Sequence, residues 1–225
     1  MERPTPYYED DLVTLYHGDC REVTEWLSAD VLVTDPPYGI SYRSGTMPGG
    51  RKSQTAKVDI ASDDTIEVRD AMLAAWGDRP AIIFGSWRAE RPKGTRQRLI
   101  WHKGATEAGA RRLPWFSADE EIYILGSGFG GKPEQTVIRT DEIRAGAYGE
   151  VAKIGHPTPK PVGLMERLIA KCPDGVIADP FSGSGSTLVA AKQIGRRAIG
   201  VELDERYCEI TAKRLAQDTL FGGVA

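Results

Sequence analysis

VIADPFSGSGSTLVAAKQIGRRAIGVELD, residues 176–204, carries the clearest structural signal in the chain. An apolar run typical of a buried strand leads through a glycine-rich turn into a helix-like segment, and a second strand-like run follows. Gly183 and Gly185 let the backbone approach a ligand closely where the helix begins. Glu202 ends the second strand, where a carboxylate can accept hydrogen bonds from both hydroxyls of a ribose. The segment therefore predicts a strand-helix-strand unit that binds a nucleoside.

The spacing within this unit supports that interpretation. The acidic residue follows the glycine turn by about 20 residues, as in nucleoside-binding units of this type. The turn lacks the Gly-Lys-Ser/Thr ending of a phosphate-binding P-loop. A nucleoside without a triphosphate is therefore favoured.

A second informative stretch is ADVLVTDPPY, residues 29–38. Its apolar core predicts a strand buried on both faces, and the two prolines end that strand and leave the preceding carbonyl groups free to accept hydrogen bonds. Asp35 adds an acidic acceptor, and Tyr38 adds a ring that can lie flat against a base. This combination indicates chemistry on a planar amino group.

Together these motifs resemble the S-adenosylmethionine-dependent DNA amino-methyltransferases, in the permuted arrangement called the beta class. The family's catalytic motif is an acid or amide followed by Pro-Pro and an aromatic residue, and Asp35 to Tyr38 match it. Its cofactor motif, matched by residues 179–187, follows the catalytic motif, as it does here. A third signature, His-Pro-Thr-x-Lys-Pro, is present at residues 156–161. The resemblance extends from about residue 15 to residue 215.

The resemblance implies a single α/β domain over residues 1–225, with the Rossmann-like methyltransferase fold and a circularly permuted motif order. It implies a mainly parallel sheet of seven strands, one of them antiparallel near an edge, with helices on both faces. The apolar pattern predicts helices at residues 21–27, 65–75, 162–171 and 205–217. Because open α/β sheets bind ligands where the strand order reverses, we expect the strands at 31–34 and 176–178 to be neighbours.

The activity that the resemblance implies is methyl transfer from S-adenosylmethionine to the exocyclic amino nitrogen of a base flipped out of double-stranded DNA, as in restriction-modification enzymes. Adenine N6 is the first choice, because an acid before Pro-Pro-Tyr is similar to the adenine enzymes more often than to the cytosine-N4 enzymes. The catalytic residues implied are Asp35, Pro36, Pro37 and Tyr38.

Several alternatives stay open. A cytosine-N4 DNA methyltransferase is the first of them. A protein-glutamine methyltransferase usually carries Asn-Pro-Pro-Tyr in the unpermuted order, and a non-catalytic nucleoside- or DNA-binding protein would bind without turnover. A dinucleotide-dependent oxidoreductase would explain neither the Pro-Pro-Tyr motif nor the motif around Lys160.

The resemblance also assigns the cofactor pocket. Asp19, after the first long strand, is expected on its adenine side, and Glu202 on the ribose. The residues implied in binding S-adenosylmethionine are Asp19, Cys20, His156, Thr158, Lys160, Asp179, Phe181, Gly183, Ser184, Gly185, Ser186, Thr187, Glu202 and Leu203.

The charge distribution points to a nucleic-acid partner although the formal net charge is -3. Residues 88–112 carry eight Arg or Lys against two Glu, and the loop 39–57 carries four basic residues and no acid. Both segments are candidates for binding phosphates beside the site. The proposed DNA contacts are Arg43, Arg51, Lys52, Lys57, Arg88 and Lys103.

The interval at residues 127–152 is short where the family commonly carries a full target-recognition region. Recognition is therefore expected to be short, relaxed, or built partly by a second subunit in a homodimer. No apolar run approaches the length that spans a bilayer, and the N-terminus lacks the apolar core of a signal peptide. The three cysteines are widely spaced without a Cys-x-x-Cys pair. We expect a cytoplasmic protein without a metal site.

Overall fold

A computed structural model describes residues 4–39, 65–104, 118–139 and 159–221. These residues form one mixed sheet of nine strands, in the order β1-β2-β9-β8-β3-β4-β6-β5-β7. The strands are β1 (Tyr8–Glu9), β2 (Val13–His17), β3 (Val31–Thr34), β4 (Ala81–Gly85), β5 (Thr95–His102), β6 (Asp119–Leu125), β7 (Val137–Arg139), β8 (Ile177–Asp179) and β9 (Ala198–Glu202). The helices are α1 (Glu67–Trp76), α2 (Val162–Ile169), α3 (Ser186–Gln193) and α4 (Glu205–Phe221).

The centre of the sheet is parallel, as predicted. Strands β2, β9, β8, β3 and β4 pair in parallel, whereas β6 is antiparallel to both β4 and β5. The sheet has two strands more than the seven expected, because the short strands β1 and β7 extend its edges. β1 is antiparallel to β2, and β7 is parallel to β5.

Successive residues of the central strands face opposite layers, because side chains alternate along a strand. Val31 and Val33 pack with residues of α2, α3 and α4 on one face. Leu32 packs on the other face with Trp26 and Trp76, whose rings stack with centroids 5.9 Å apart. Helices therefore cover both faces, which explains why these strands are continuously apolar.

The helix predicted at residues 21–27 was wrong. The Asp19 side chain accepts a hydrogen bond from the Arg21 backbone N–H at 2.9 Å, and the Asp19 carbonyl accepts from the N–H groups of Glu22 and Val23. These bonds form a turn, and the only helical segment there is a single 3₁₀ turn, Glu25–Ser28. A local side-chain bond from an aspartate competes with helix formation in this way.

All three cysteines are buried as free thiols. Burial raises the pKa of Cys20 to about 11 and those of Cys172 and Cys208 to about 12. Within the described ranges, no helix combines the length and apolar character that crossing a bilayer requires.

Candidate active site

The two sequence motifs meet at the carboxyl ends of two central strands of the sheet. β3 and β8 are parallel neighbours, with Val31 opposite Ile177, which confirms the predicted adjacency. Their carboxyl ends are joined by a hydrogen bond of 2.6 Å from the Thr34 hydroxyl to the Asp179 carboxylate. The Pro-Pro turn and the glycine turn therefore begin side by side.

The carboxylate of Asp35 is bonded at both oxygens. The Tyr38 hydroxyl donates to one oxygen at 2.6 Å, and the Lys160 ammonium forms an ion pair with the other. The Asp35 side chain keeps 29% of its exposure, whereas Lys160 keeps 7%. Because an ionised carboxylate offers about four acceptor positions, Asp35 can still receive a substrate N–H group.

The cluster also contains Glu120 and Lys103, which lie outside the catalytic motif. Lys160 Nζ lies 3.2 Å from Glu120 Oε2, and Lys103 forms an ion pair with the other Glu120 oxygen. Sequence reasoning missed Glu120. Lys103, predicted as a phosphate contact, forms an ion pair with this carboxylate, and Lys160, predicted at the cofactor, forms one with Asp35. The predicted roles of both lysines stay predictions.

Burial and charge act against each other at these groups. Burial and the Glu120 carboxylate raise the pKa of Asp35, although the Lys160 ammonium opposes the shift. Burial opposes ionisation of Glu120 as well, but Lys160 and Lys103 lower its pKa overall. Burial, together with the two carboxylates, raises the pKa of Tyr38 well above its ordinary value, so the phenol stays a hydrogen-bond donor.

The glycine turn is held by backbone groups. Glu202 accepts a hydrogen bond from the Gly183 N–H at 2.7 Å and from the Asp204 N–H at 2.8 Å, one at each carboxylate oxygen. Burial raises the pKa of Glu202, and these backbone bonds oppose the rise. Each oxygen retains acceptor capacity, so the carboxylate fits the predicted role on the hydroxyls of a ribose.

Gly185 is in the left-handed region with φ of 79°, and a Cβ atom there would collide with Thr211. Helix α3 begins at the next residue, Ser186, whose hydroxyl oxygen is buried and has no hydrogen-bond partner within the described residues. Gly185 is therefore required by its backbone conformation and by its packing against α4. The unpartnered Ser186 hydroxyl at the helix N-terminus fits a bound nucleoside derivative.

Asp179 connects this turn to the catalytic strand. Besides the Thr34 bond, its carboxylate accepts from the Phe181 N–H at 3.2 Å and from the Thr187 side chain. Burial raises the pKa of Asp179 to about 6. In this structure, the hydrogen bonds of Asp179 connect the end of β3 to the turn after β8.

The remaining predicted cofactor residues divide between the sheet edge and the core. Asp19 follows β2, which pairs with β9, and forms an ion pair with Arg21. Leu203 is exposed at the same edge. Cys20, in contrast, is buried in the apolar layer around Trp26. The predicted residues His156 and Thr158 lie outside the described residues.

Of the predicted DNA contacts, Arg88 is exposed just beyond β4, the strand next to β3. Its guanidinium lies 5.5 Å from the ring centroid of Trp87, which is 68% exposed. Arg43, Arg51, Lys52 and Lys57 lie outside the described residues, as do most of the 39–57 loop and residues 140–152 of the short interval.

Comparisons with known proteins agree with this fold. The type II methyltransferase M.ScaI of Streptomyces caespitosus is 28% identical over 258 residues, covering 93% of this chain and 83% of that protein. The structure of the M1.HpyAVI–SAM complex matches with a TM-score of 0.63 at 20% identity, over 91% of this chain and 99% of that one. PvuII DNA methyltransferase, described as cytosine-N4-specific, matches with a TM-score of 0.63 at 15% identity, over 93% and 88%.

The two solved structures show the shared fold, and the family follows from sequence. A family model described as DNA methylase, of the N6/N4 group, matches residues 53–213, well over half of the chain. The chain therefore belongs to the N6/N4 family of DNA methylases.

Proposed function

We propose that this DNA methylase transfers a methyl group from S-adenosylmethionine to adenine N6 of a base flipped out of double-stranded DNA. One observation carries the proposal. The Asp35 carboxylate and the Tyr38 ring lie at the carboxyl end of β3, and the glycine turn begins at the carboxyl end of the neighbouring strand β8. An acceptor for an amino group and a stacking surface thus adjoin a nucleoside pocket.

The residues of the glycine turn would hold S-adenosylmethionine, with Glu202 on the ribose hydroxyls and Ser186 supplying a free hydroxyl. When bound, this cofactor supplies an electrophilic methyl group on a sulfonium. Asp35 and the Pro36 carbonyl accept hydrogen bonds from the target amino group, which draws its lone pair out of conjugation with the ring. The nitrogen could then attack the methyl carbon in line as the bond from that carbon to sulfur breaks and a neutral thioether leaves. The proton that the nitrogen loses would pass to Asp35 or to solvent.

The base has to leave the duplex because pairing otherwise occupies its amino group, at a cost of roughly a few kcal/mol. Tyr38 compensates for the lost stacking, which is worth about 1 to 3 kcal/mol per base. Its ring packs partly against the core, and its hydroxyl is fixed on Asp35, so the aromatic face is held in place before the base arrives.

Adenine is preferred over cytosine because an acidic residue precedes Pro-Pro-Tyr. Cytosine N4 remains the second candidate, since the chemistry at the two amino groups is the same and an enzyme described as cytosine-N4-specific has the same fold. A protein-glutamine substrate and a non-catalytic binding role rank below both.

The test is to incubate the purified protein with double-stranded DNA and S-adenosylmethionine, digest the DNA and analyse its nucleosides by mass spectrometry. N6-methyladenine is the expected product. N4-methylcytosine would move the assignment to the second candidate, and no methylated base on any tested DNA would overturn the proposal. Thermal stabilisation by S-adenosylmethionine, with NAD as the control ligand, tests the cofactor separately.

Mapping the methylated positions tests the DNA-binding part of the proposal. Residues 127–152 leave little chain for target recognition, so a short or degenerate motif is expected. A long strict motif would contradict this. A homodimer that shares recognition between subunits would appear in the molar mass measured in solution.

The DNA contacts are proposed on the basic segments beside the site. Replacing Arg51 and Lys52 together by Gln should weaken DNA binding and flatten its salt dependence, because fewer counterions are released. Arg88→Gln should act in the same direction from the β4 side. Unchanged salt dependence in both variants would place the phosphate backbone elsewhere, and unchanged cofactor affinity is the internal control.

A further inference from the structure

Glu120 is a largely buried carboxylate that the proposed chemistry does not use. It lies on β6, and its side chain keeps 13% of its exposure. Both of its oxygens are in ion pairs, one with Lys103 and one with Lys160, and the second oxygen also lies 3.4 Å from the Tyr38 hydroxyl. A carboxylate removed from water in this way depends on its cations.

Lys160 connects Glu120 to the catalytic motif. An ammonium has three donors, and the three acceptors around Lys160 are the carboxylates of Asp35 and Glu120 and the Tyr38 hydroxyl, the last at 3.4 Å. One buried cation is therefore shared between two carboxylates. A change at either carboxylate alters the charge that the other one meets.

This sharing has a direct consequence for Asp35. If Glu120 were neutral, the whole attraction of the ammonium would act on Asp35 and hold its oxygen more tightly. If the ammonium were absent, two carboxylates would face each other in a site with little solvent, where charges interact strongly. The arrangement lies between these extremes, because Lys160 favours the ionised form of Asp35 while it also pairs with Glu120.

Building on the proposed function, we propose that Glu120 is a positioning residue, which acts through the shared ammonium of Lys160 to set the orientation and the charge of the Asp35 carboxylate that receives the target amino group. Glu120 needs no contact with the base or the cofactor for this role. Lys103, which directly follows β5, forms an ion pair with the other oxygen of Glu120.

The charged and titratable groups around Asp35 fix the direction of each effect. Lys160 and the Tyr38 hydroxyl lower its pKa, and Glu120 raises it. Asp179, on the neighbouring strand, is electrostatically linked to Asp35 and adds a second negative charge when ionised. Only the ionised form of Asp35 is a pure acceptor, so methyl transfer should fail on the acid side as Asp35 becomes protonated.

The experiment follows kcat/KM for DNA as a function of pH, because this ratio reports ionisations of the free enzyme. Glu120→Gln should move the acid limb to lower pH by about one unit and lower the plateau, since Lys160 then binds Asp35 alone. Lys160→Met should move the limb to higher pH by about 1 to 3 units. Opposite movements are a result that loss of folding does not produce.

Glu121→Gln is the matched control. Glu121 is the next residue of β6 and is also buried, but it points to the other side, where it contacts Tyr123 and Arg98. Its replacement should leave the acid limb in place. Cofactor affinity, measured by calorimetry, should stay unchanged in the Glu120→Gln variant.

Should Glu120→Gln fail to fold, Lys103→Met tests the same idea at a more accessible position, since its side chain keeps 28% of its exposure. Glu120 would then be paired with Lys160 alone and would compete more strongly with Asp35 for that ammonium, so the limb should move to higher pH. Limbs that stay in place, or that move in the same direction for Glu120→Gln and Lys160→Met, would overturn the positioning role. Absence of methylation by the wild-type protein would instead overturn the proposed function.

Discussion

The two turns that form the site are held by different kinds of contact. Within the part of the chain that the structure describes, Asp35 of the Pro-Pro turn is held by the side chains of Tyr38 and Lys160, and Lys160 comes from a distant part of the chain. At the cofactor turn, Glu202 is fixed by the backbone N–H groups of Gly183 and Asp204. Backbone donors stay where the fold puts them, whereas side-chain donors can be exchanged.

This difference matches the demands on the two turns. The same cofactor binds in every turnover, so its ribose can be held by a rigid acceptor. A rigid acceptor loses little conformational freedom when the ligand binds. In the proposed mechanism, a base that enters from a duplex has to take a place among the partners of Asp35, and side-chain partners can move away to make room. The four predictions below address this contrast, starting with the largest effect.

Asp35→Ala should separate the two turns most strongly. Loss of the acceptor for the amino group should reduce methyl transfer by about 100- to 1000-fold, as removal of a preorganised polar group does elsewhere. Cofactor affinity should stay nearly unchanged, because Glu202 does not depend on Asp35. Single-turnover methylation and calorimetry measure the two quantities.

Asp174→Ala is the control for this variant, because Asp174 is an exposed carboxylate in the loop before β8. It should transfer methyl groups like the wild type. Equal rates for the Asp35→Ala and wild-type proteins would remove the catalytic assignment.

Asp179, which connects the two turns, should make the stability of the folded protein depend on pH. Its pKa is raised from 3.8 to about 6, so the folded state binds the proton more tightly than the unfolded state. The resulting stabilisation is complete below about pH 4 and is lost as the pH rises through 6. The loss amounts to about 3 kcal/mol at 1.36 kcal/mol per pKa unit.

Asp179→Asn should therefore gain stability relative to the wild type between pH 4 and pH 7, measured by urea unfolding at each pH. Asparagine can still accept the hydrogen bond from Thr34. Parallel stability curves for the two proteins would show that folding does not raise the pKa of Asp179.

Glu202→Ala should affect the cofactor turn and spare the catalytic one. Removal of charged hydrogen bonds should weaken S-adenosylmethionine binding by about 1.5 to 3 kcal/mol, with the rate at saturating cofactor much less affected. Glu209→Ala, at an exposed position of α4 paired with Lys213, is the control. Calorimetry that finds the same affinity in all three proteins would place the ribose elsewhere.

Tyr38 gives the smallest and most discriminating effect. Tyr38→Phe keeps the stacking face and loses only the hydroxyl bond to Asp35, so methylation should fall by about tenfold, the lower end of the value of a hydrogen bond to a charged group. Tyr38→Ala loses the face as well and should be impaired much more. If the two variants are equally impaired, the hydroxyl rather than the ring is what the reaction requires.

The parts of the fold that the sequence predicted are those with continuous local patterns. The apolar run Val31 to Val33 and the glycine turn after β8 each carry their structure within a few residues, and the pairing of β3 with β8 followed from the general geometry of open sheets. The wrong helix at 21–27 had a helical pattern, but the Asp19 side chain competes for its backbone.

The catalytic cluster could be predicted only in part, because its partners come from different strands. Three consecutive acids, Asp119 to Glu121, give no periodic signal of which one faces the site. The antiparallel pairing of β6 with β4 and β5 decides it, and that pairing is set by tertiary structure. The one available signal was a run of charge directly before an apolar strand.

The rates at which the three buried cysteines are chemically modified would report local opening of the fold. A thiol with a raised pKa and no access to solvent reacts slowly with alkylating reagents, because the thiolate is the nucleophile. Cys20 lies beneath one face of the sheet, and Cys172 and Cys208 lie beneath the other. The order in which they become modified in dilute denaturant would therefore report which helical layer detaches first.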